Sequence, residues 1–254
     1  MLKSWRVGTL FGFPVEVNVS FLFLLGLVLL AFGGLVGLAI VLLTFASVVV
    51  HELGHALVAR KLNVYVSGIE LSFFGGAAKM VQMPRSSNDE LAIAAAGPAV
   101  SLMIGGAGLG LAALTHLPLF ALIGYINLVL AGFNLIPALP MDGGRILRAL
   151  LARRMSFVRA TDISVTVSRV AAVAFAVLGL MGAYQLLVLA PFLWILGTRE
   201  RMLARMMAAD NHAYTSPVGN VDRFYRHDAP PPPRGERRFV VVQRGGRLVI
   251  EAID

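Results

Sequence analysis

The residues most suited to chemistry are His51-Glu52-Leu53-Gly54-His55. Two imidazoles four positions apart share one face of a helix and can hold one divalent cation, while the adjoining carboxylate is placed to take a proton from an attacking water. The pattern is that of metal-assisted hydrolysis. The chain has no cysteine, so a metal must be held by His, Asp or Glu, and thiolate zinc, iron-sulfur and thiol redox chemistry are excluded. A catalytic zinc takes three protein ligands and keeps one position open, so two histidines are one ligand short. The soluble metzincin extension would need Gly at Val58 and His at Lys61 and is absent. The acidic candidates are Glu70, Asp89, Glu90 and Asp142. Glu70 falls in a segment that reads as a β-hairpin. Asp89 and Glu90 fit the first turn of a helix, where the dipole favours carboxylates. Asp142 has no such duty: it follows Asn134-Leu-Ile-Pro137-Ala-Leu-Pro140-Met141 and precedes Gly143-Gly144, where the prolines unwind the backbone enough to turn a carboxylate inward.

The elements that must position these groups are apolar helices. Hydrophobic residues make up 57% of the 254, mean hydropathy is +0.78, and charged residues are only 14% against about 25% in a typical soluble domain. This composition is that of an all-α polytopic membrane protein and excludes a disordered chain or a disulfide-stapled secreted domain. No residue from Val17 to Val50 is charged, too long a stretch for one span of about 20 residues. Gly33-Gly34 divides it into spans near 17 to 32 and 36 to 59. Ser87 and Glu90 have capping-box spacing and open a third span to about Leu114. A fourth runs from Leu119 until Pro137 and Pro140 break it. Two shorter ones lie near 165 to 181 and 184 to 198, with Arg169 snorkelling to one face.

About six spans threaded from a cytoplasmic N-terminus leave outer connections at 33 to 36, 115 to 118 and 181 to 183, none with Lys or Arg. The 22 basic residues then gather on or near the cytoplasmic side, as the positive-inside rule requires, and both termini are cytoplasmic. The net charge of +8 is therefore topogenic and faces lipid; no nucleic-acid partner is expected. His51 stands nine residues before Arg60, about 14 Å along a helix, which places the motif inside the bilayer and nearer the cytosol. Ionisable groups at that depth are costly and mark a functional site.

Two stretches are not spans. Val64 to Met83, rich in β-branched and aromatic residues, reads as an interfacial hairpin with Gly75-Gly76 as its turn. After Arg205 the composition turns polar, giving an expected division into a membrane domain over 1 to 205, a Pro-rich linker over 206 to 237 and a small β-hairpin tail over 238 to 254, turning at Gly245-Gly246. So small a hairpin needs a partner surface. The cytoplasmic face near residues 64 to 83 is the expected one. The glycines around Gly106-x-x-x-Gly110 read as close helix packing, and His116, His212 and His227 lack a second ligand at metal spacing.

HELGH on one helix and N-x-x-P-x-x-P-x-D-G-G on a later one together resemble the site-2 protease family of intramembrane zinc metalloproteases. Phe11-Gly12, Phe74-Gly75-Gly76 and Ala96-Gly97-Pro98 add to the likeness, which covers about residues 8 to 205. The resemblance implies a three-helix catalytic core built from spans two to four. It implies one zinc per chain on His51, His55 and Asp142, Glu52 as general base, and Asn134 positioning or polarising the scissile carbonyl. Gly75, Gly76, Pro137 and Pro140 then belong to the substrate side, and the substrates are membrane-anchored proteins cut in or near their spans in a prokaryotic cell membrane. Association into an oligomer is left open. Met141 stands where the family often has Leu, and Ser101 where it often has Asn. The 60 to 87 connection is too short for a PDZ domain, and the tail is too short for paired cystathionine-β-synthase modules. Two other readings keep parts of this pattern: a membrane zinc protease with a Glu third ligand acting on exposed segments, and an inactive scaffold or transporter, against which an intact Glu52 argues.

Overall fold

The computed structural model describes residues 4–21, 26, 30, 33–72, 75–81, 84, 86–215, 238–244 and 247–253. The first expected span, 17 to 32, lies largely outside them. In chain order the elements are β1 Ser4–Leu10, β2 Phe13–Asn18, α1 Gly34–Lys61, β3 Val66–Ser72, β4 Gly75–Met80, α2 Ser87–Thr115, α3 Pro118–Asn134, α4 Asp142–Ala152, α5 Phe157–Leu180, α6 Gln185–Thr215, β5 Arg238–Arg244 and β6 Arg247–Ile253. The molecule is thus mostly helical with a small sheet. Among the described residues, segments of three helices, Val36–Lys61, Ser87–Thr115 and Phe157–Leu180, are long and apolar enough to cross a membrane, whereas α3 is shorter. Only 28 to 39% of their most apolar windows is buried inside the protein. Large side chains such as Val36, Leu114, Val170 and Leu180 therefore face outward, which suits lipid and would be an aggregation liability in water.

Capping and charge pairing extend the last helices beyond the limits that apolar runs mark. α5 begins eight residues before position 165, because Ser156 caps it by accepting from the Arg159 N–H. α6 continues past Arg205 to Thr215, since Arg201 and Arg205 hold Asp162 of α5. Of the expected linker, residues 206 to 215 are thus helical and 216 to 237 lie outside the described residues. The α2 cap also differs from expectation: the Ser86 hydroxyl, not that of Ser87, accepts the Asp89 N–H. Glu90 makes no capping box, being buried against Arg148.

A four-stranded sheet in the order β1-β2-β3-β4 lies along α1, with β1–β2 and β3–β4 antiparallel and β2–β3 parallel. The β3–β4 hairpin was expected; β1–β2 was not. Phe11 and Gly12 do not lead into a helix but form the turn between β1 and β2, both with positive φ (50° and 89°), the backbone twist that two-residue hairpins favour. Nor are Gly75 and Gly76 a turn. They belong to β4, opposite Ser72 and Leu71. A register shift between Val66 and Gly68 lets Val66 and Ile69, three positions apart, both face inward. Phe13, Val66 and Ile69 pack with Leu53, Ala56 and Ala59 of α1 and Ile93 of α2, and Val17 and Leu71 with Val49. The edge strand β4 is thereby brought beside the motif.

On the other side, Arg148 of α4 ties three helices together. Its Nε donates to Glu90 of α2 at 2.9 Å and its Nη1 to Glu200 of α6 at 2.9 Å; Nη2 also pairs with Glu90, and the guanidinium stacks 5.0 Å from the centre of the Phe157 ring. Arg148 and Glu90 are 5% exposed. Removing one member of a buried pair strands the other, so Arg148→Leu is expected to destabilise the protein by about 3–5 kcal/mol. The thermal midpoint in detergent is the measurement, and adding Glu90→Leu should recover a large part of the loss. Residues 210 to 254 form a separate compact unit, in which β5 and β6 pair antiparallel from Arg238↔Ile253 to Arg244↔Arg247.

Candidate metal centre

Helical spacing on α1 turns His51 and His55 to one side, where they are 2% and 3% exposed. Their Nε2 atoms are 3.2 Å apart, and Oδ2 of Asp142, in the first turn of α4, is 3.1 Å from each. Tetrahedral ligands at about 2.0–2.2 Å from a zinc stand about 3.3 Å from one another, so the triangle has the right edge. Proton bookkeeping agrees. His55 Nδ1 is 2.6 Å from the Ile93 carbonyl, which only accepts, so Nδ1 carries the proton and Nε2 turns a lone pair inward. His51 Nδ1 has the Ser101 hydroxyl at 2.9 Å, which lets it adopt the same tautomer. Two nitrogen lone pairs and a carboxylate oxygen facing one point repel one another unless a cation sits between them. These residues therefore fit a zinc ion. Sequence reasoning registered Ser101 only as a departure from the usual Asn; its hydroxyl does the orienting.

The backbone is shaped to the site. A Cβ on Gly97 of α2 would fall onto His55 Nε2 and within 2.6 Å of His51 Nε2. Gly143 and Gly144 let the start of α4 sit against the loop that follows α3: a Cβ on either would run into Leu135 and Ile136 carbonyls or Leu139 N. The Leu139 N–H donates to Ser168 Oγ of α5 at 2.7 Å, and Ala138 and Met141 pack on Ala172 and Leu193. Asp142 is thus aimed by a loop braced from behind.

Glu52 lies beside the histidines; one ligand atom from each of the three falls within 4.8 Å of the others. Its Oε2 accepts the Ala78 N–H of β4 at 2.9 Å, and its Cγ would be 2.5 Å from a Cβ on Gly76. A cavity of about 160 Å3 opens here, lined by Glu52, His55, Gly76, Asn134, Pro140 and Asp142 among others. Arg145, one turn after Asp142, also lines it, a neighbour that sequence reasoning took only as topogenic charge. Asn134 donates one amide N–H to the Leu130 carbonyl at 3.0 Å, leaving a second donor. Pro137 is not among the cavity's lining residues.

The other acidic candidates are engaged elsewhere. Glu70 accepts from Ser4 Oγ at 2.6 Å and Asn18 Nδ2 at 3.2 Å, and pairs with Lys79 at 3.0 Å. The Ser4 bond, with Lys79, holds its carboxyl below the usual range, and Glu16 and Glu70 raise Lys79 in turn. Glu90 belongs to Arg148, and Asp89 to the first turn of α2.

A hydrolytic metal centre within apolar helices defines a class, the membrane-embedded metallopeptidases. Comparison with known proteins assigns the family: the model of peptidase family M50 matches residues 38–117 and 109–175. The chain belongs to that family, the site-2 proteases, and is a membrane zinc metalloprotease. It is similar to a zinc metalloprotease of Methanocaldococcus jannaschii, at 32% identity over 244 residues covering 88% of this chain and 71% of that one. It spans less of a Synechocystis sp. relative, at 44% identity over 173 residues, 59% of this chain and 45% of the other. The solved structure of a site-2 protease from Methanocaldococcus jannaschii superposes with a TM-score of 0.63 at 34% identity, over 78% of this chain and 95% of that one.

Proposed function

We propose that this protein hydrolyses peptide bonds in or near the transmembrane segments of membrane-anchored proteins, with zinc on His51, His55 and Asp142. The observation that carries the reading is the convergence of Nε2, Nε2 and Oδ2 at 3.1 to 3.2 Å with the Glu52 carboxylate alongside. Bound there, zinc supplies a Lewis acid that polarises a carbonyl and brings the pKa of water towards about 7. Glu52 takes the proton of the attacking water and hands it to the departing amine nitrogen. The second amide N–H of Asn134 supports the scissile carbonyl oxygen as charge builds on it.

A helical substrate has its carbonyls tied in backbone bonds and must be extended before it can be cut. The open edge of β4, which contains Gly75 and Gly76, offers strand pairing next to Glu52, with Pro140 across the cavity. Gly76 keeps that approach close, since any side chain there would meet Glu52. The rival reading with a glutamate as third ligand lacks such geometry, as Glu70 and Glu90 are committed to Ser4 and Lys79 and to Arg148.

The membrane arrangement belongs to the same proposal: about six spans in a prokaryotic cell membrane, both termini cytoplasmic, and the site nearer the cytosol, with residues 238 to 254 a separate hairpin that modulates access. Reporters fused after Arg60, Arg154 and Arg205 are expected to read cytoplasmic and one in the turn at Thr115 to Pro118 outside. An outside reading after Arg205 would overturn the six-span arrangement. For the reaction itself, protein reconstituted with a synthetic transmembrane peptide is expected to cut it towards its cytoplasmic end, to stop on zinc chelation and to resume when zinc is restored. Cleavage indifferent to chelation would remove the metal from the mechanism.

A further inference from the structure

The start of α5 and the second half of α6 carry a charged groove that peptide hydrolysis does not use. Asp162 of α5 receives Arg201 Nε at 2.9 Å and Arg205 Nη2 at 3.2 Å, and Arg201 Nη2 also reaches the Asp162 carbonyl at 3.3 Å. Beside them is a cavity of about 420 Å3 lined by Arg159 and Asp162 in the first turns of α5, by Ile163, Thr166 and Val167 further along it, and by Arg201 and Arg205 of α6. Arg159 forms no ion pair among the described residues. The lining thus carries three guanidinium groups and one carboxylate, two of the three paired with it, a surplus of two positive charges. The apolar border continues along α5 to exposed Val170 and Val173, part of a helix long and apolar enough to span a bilayer.

A soluble anion would need only the arginines; a groove that is cationic at one end and apolar along its length suits a molecule with both characters. We propose that it binds the phosphodiester headgroup of an anionic phospholipid, with an acyl chain lying along Ile163, Val167 and Val170. Guanidinium forks match phosphate oxygens in pairs, and basic pockets between membrane helices are recognised headgroup sites. Such a lipid would bridge α5 and α6, the helices whose Ser168, Ala172 and Leu193 brace the loop before Asp142. Bound lipid therefore stabilises the support of the metal centre without touching it.

The test uses the full-length zinc-loaded protein in phosphatidylcholine nanodiscs with and without phosphatidylglycerol. It reads retained phosphatidylglycerol by native mass spectrometry, the thermal midpoint and zinc content. Phosphatidylglycerol is expected to be retained and to raise the midpoint. Arg159→Gln with Arg205→Gln should weaken its binding about twenty-five-fold, about fivefold for each arginine removed, with zinc content unchanged. Arg153→Gln with Arg154→Gln, exposed and outside the groove, should change it by no more than about twofold, since screened charges elsewhere contribute little. Arg159→Gln alone, which breaks no ion pair, keeps the test open if the double variant does not assemble, and should cost about fivefold. Equal weakening by both double variants would mean diffuse attraction to a basic surface and overturn the site. Stabilisation by inorganic phosphate equal to that by phosphatidylglycerol would overturn the lipid.

Discussion

Purified Glu52→Gln protein is expected to keep about one zinc per chain and to lose peptide hydrolysis by about a thousandfold, within the range of about 10²–10⁴ that general acid–base catalysis supplies. Glutamine preserves shape and can still accept the Ala78 N–H through its carbonyl oxygen, so the β4 edge should keep its place while the proton acceptor is gone. Asp142→Asn is expected to behave oppositely. Asp142 faces both Nε2 atoms with a single oxygen, and a neutral amide there forfeits the charge that offsets the cation, so zinc content should fall with activity. Metal analysis of the two variants beside wild type separates the roles. Full zinc occupancy in a well-folded Asp142→Ala protein would remove it from the ligand set, and loss of zinc from Glu52→Gln would make Glu52 a ligand instead of a base.

Peptide bonds are cut by water, and apolar helices exclude it, so the site must reconcile two opposed demands. The histidines and Asp142 are buried almost completely, yet Glu52, Asn134 and Asp142 also line a polar cavity with Arg145. One side of the metal position is closed by Gly97, Ser101 and Ile93 of α2, which fix the ring orientations; the other opens beneath β4. Rigidity therefore comes from the helix behind the ligands, and access from the sheet in front of them.

These two sides were unequally legible in the sequence. The helical side could be read because its signals are local: i, i+4 histidines, long uncharged runs, and prolines that end α3 ahead of Asp142. The sheet side could not. β1 and β2 lie close to a hydrophobic segment whose length dominates any reading of the N-terminus, and β2 pairs in parallel with β3, a contact made across α1 and invisible to patterns of neighbouring residues. The same limit hid Arg148. Its sequence context is that of a cytoplasmic topogenic residue, and only tertiary packing brings Glu90 and Glu200 to it. Asp142 stood out because the unwound loop before it is itself a local signal, whereas its convergence with both imidazoles is a property of the fold alone.

Gly97→Ala should be as damaging as loss of a ligand, although the residue carries no functional group. Alanine is the better helix former by about 1 kcal/mol, so in a neutral position the change would strengthen α2. Here the new methyl has no room. It would overlap His55 Nε2 and come within 2.6 Å of His51 Nε2, the two atoms proposed to turn their lone pairs to the metal. Relief requires rotating the imidazoles away from Ser101 and the Ile93 carbonyl, or pushing α2 off α1, where Gly54 already brings the helices close, a Cβ there being 3.0 Å from the Ala96 carbonyl. Zinc affinity is expected to fall by about a hundredfold or more, since disturbing the outer partners of metal-bound histidines alone costs about 10–100-fold. Competition with a chromogenic chelator gives the number. Gly106→Ala, on the same helix with nothing within 4 Å of its Cβ, is the control and should retain full zinc and slightly greater stability. Equal zinc affinity in the two variants would show that the space between the two Nε2 atoms is not where the metal is held.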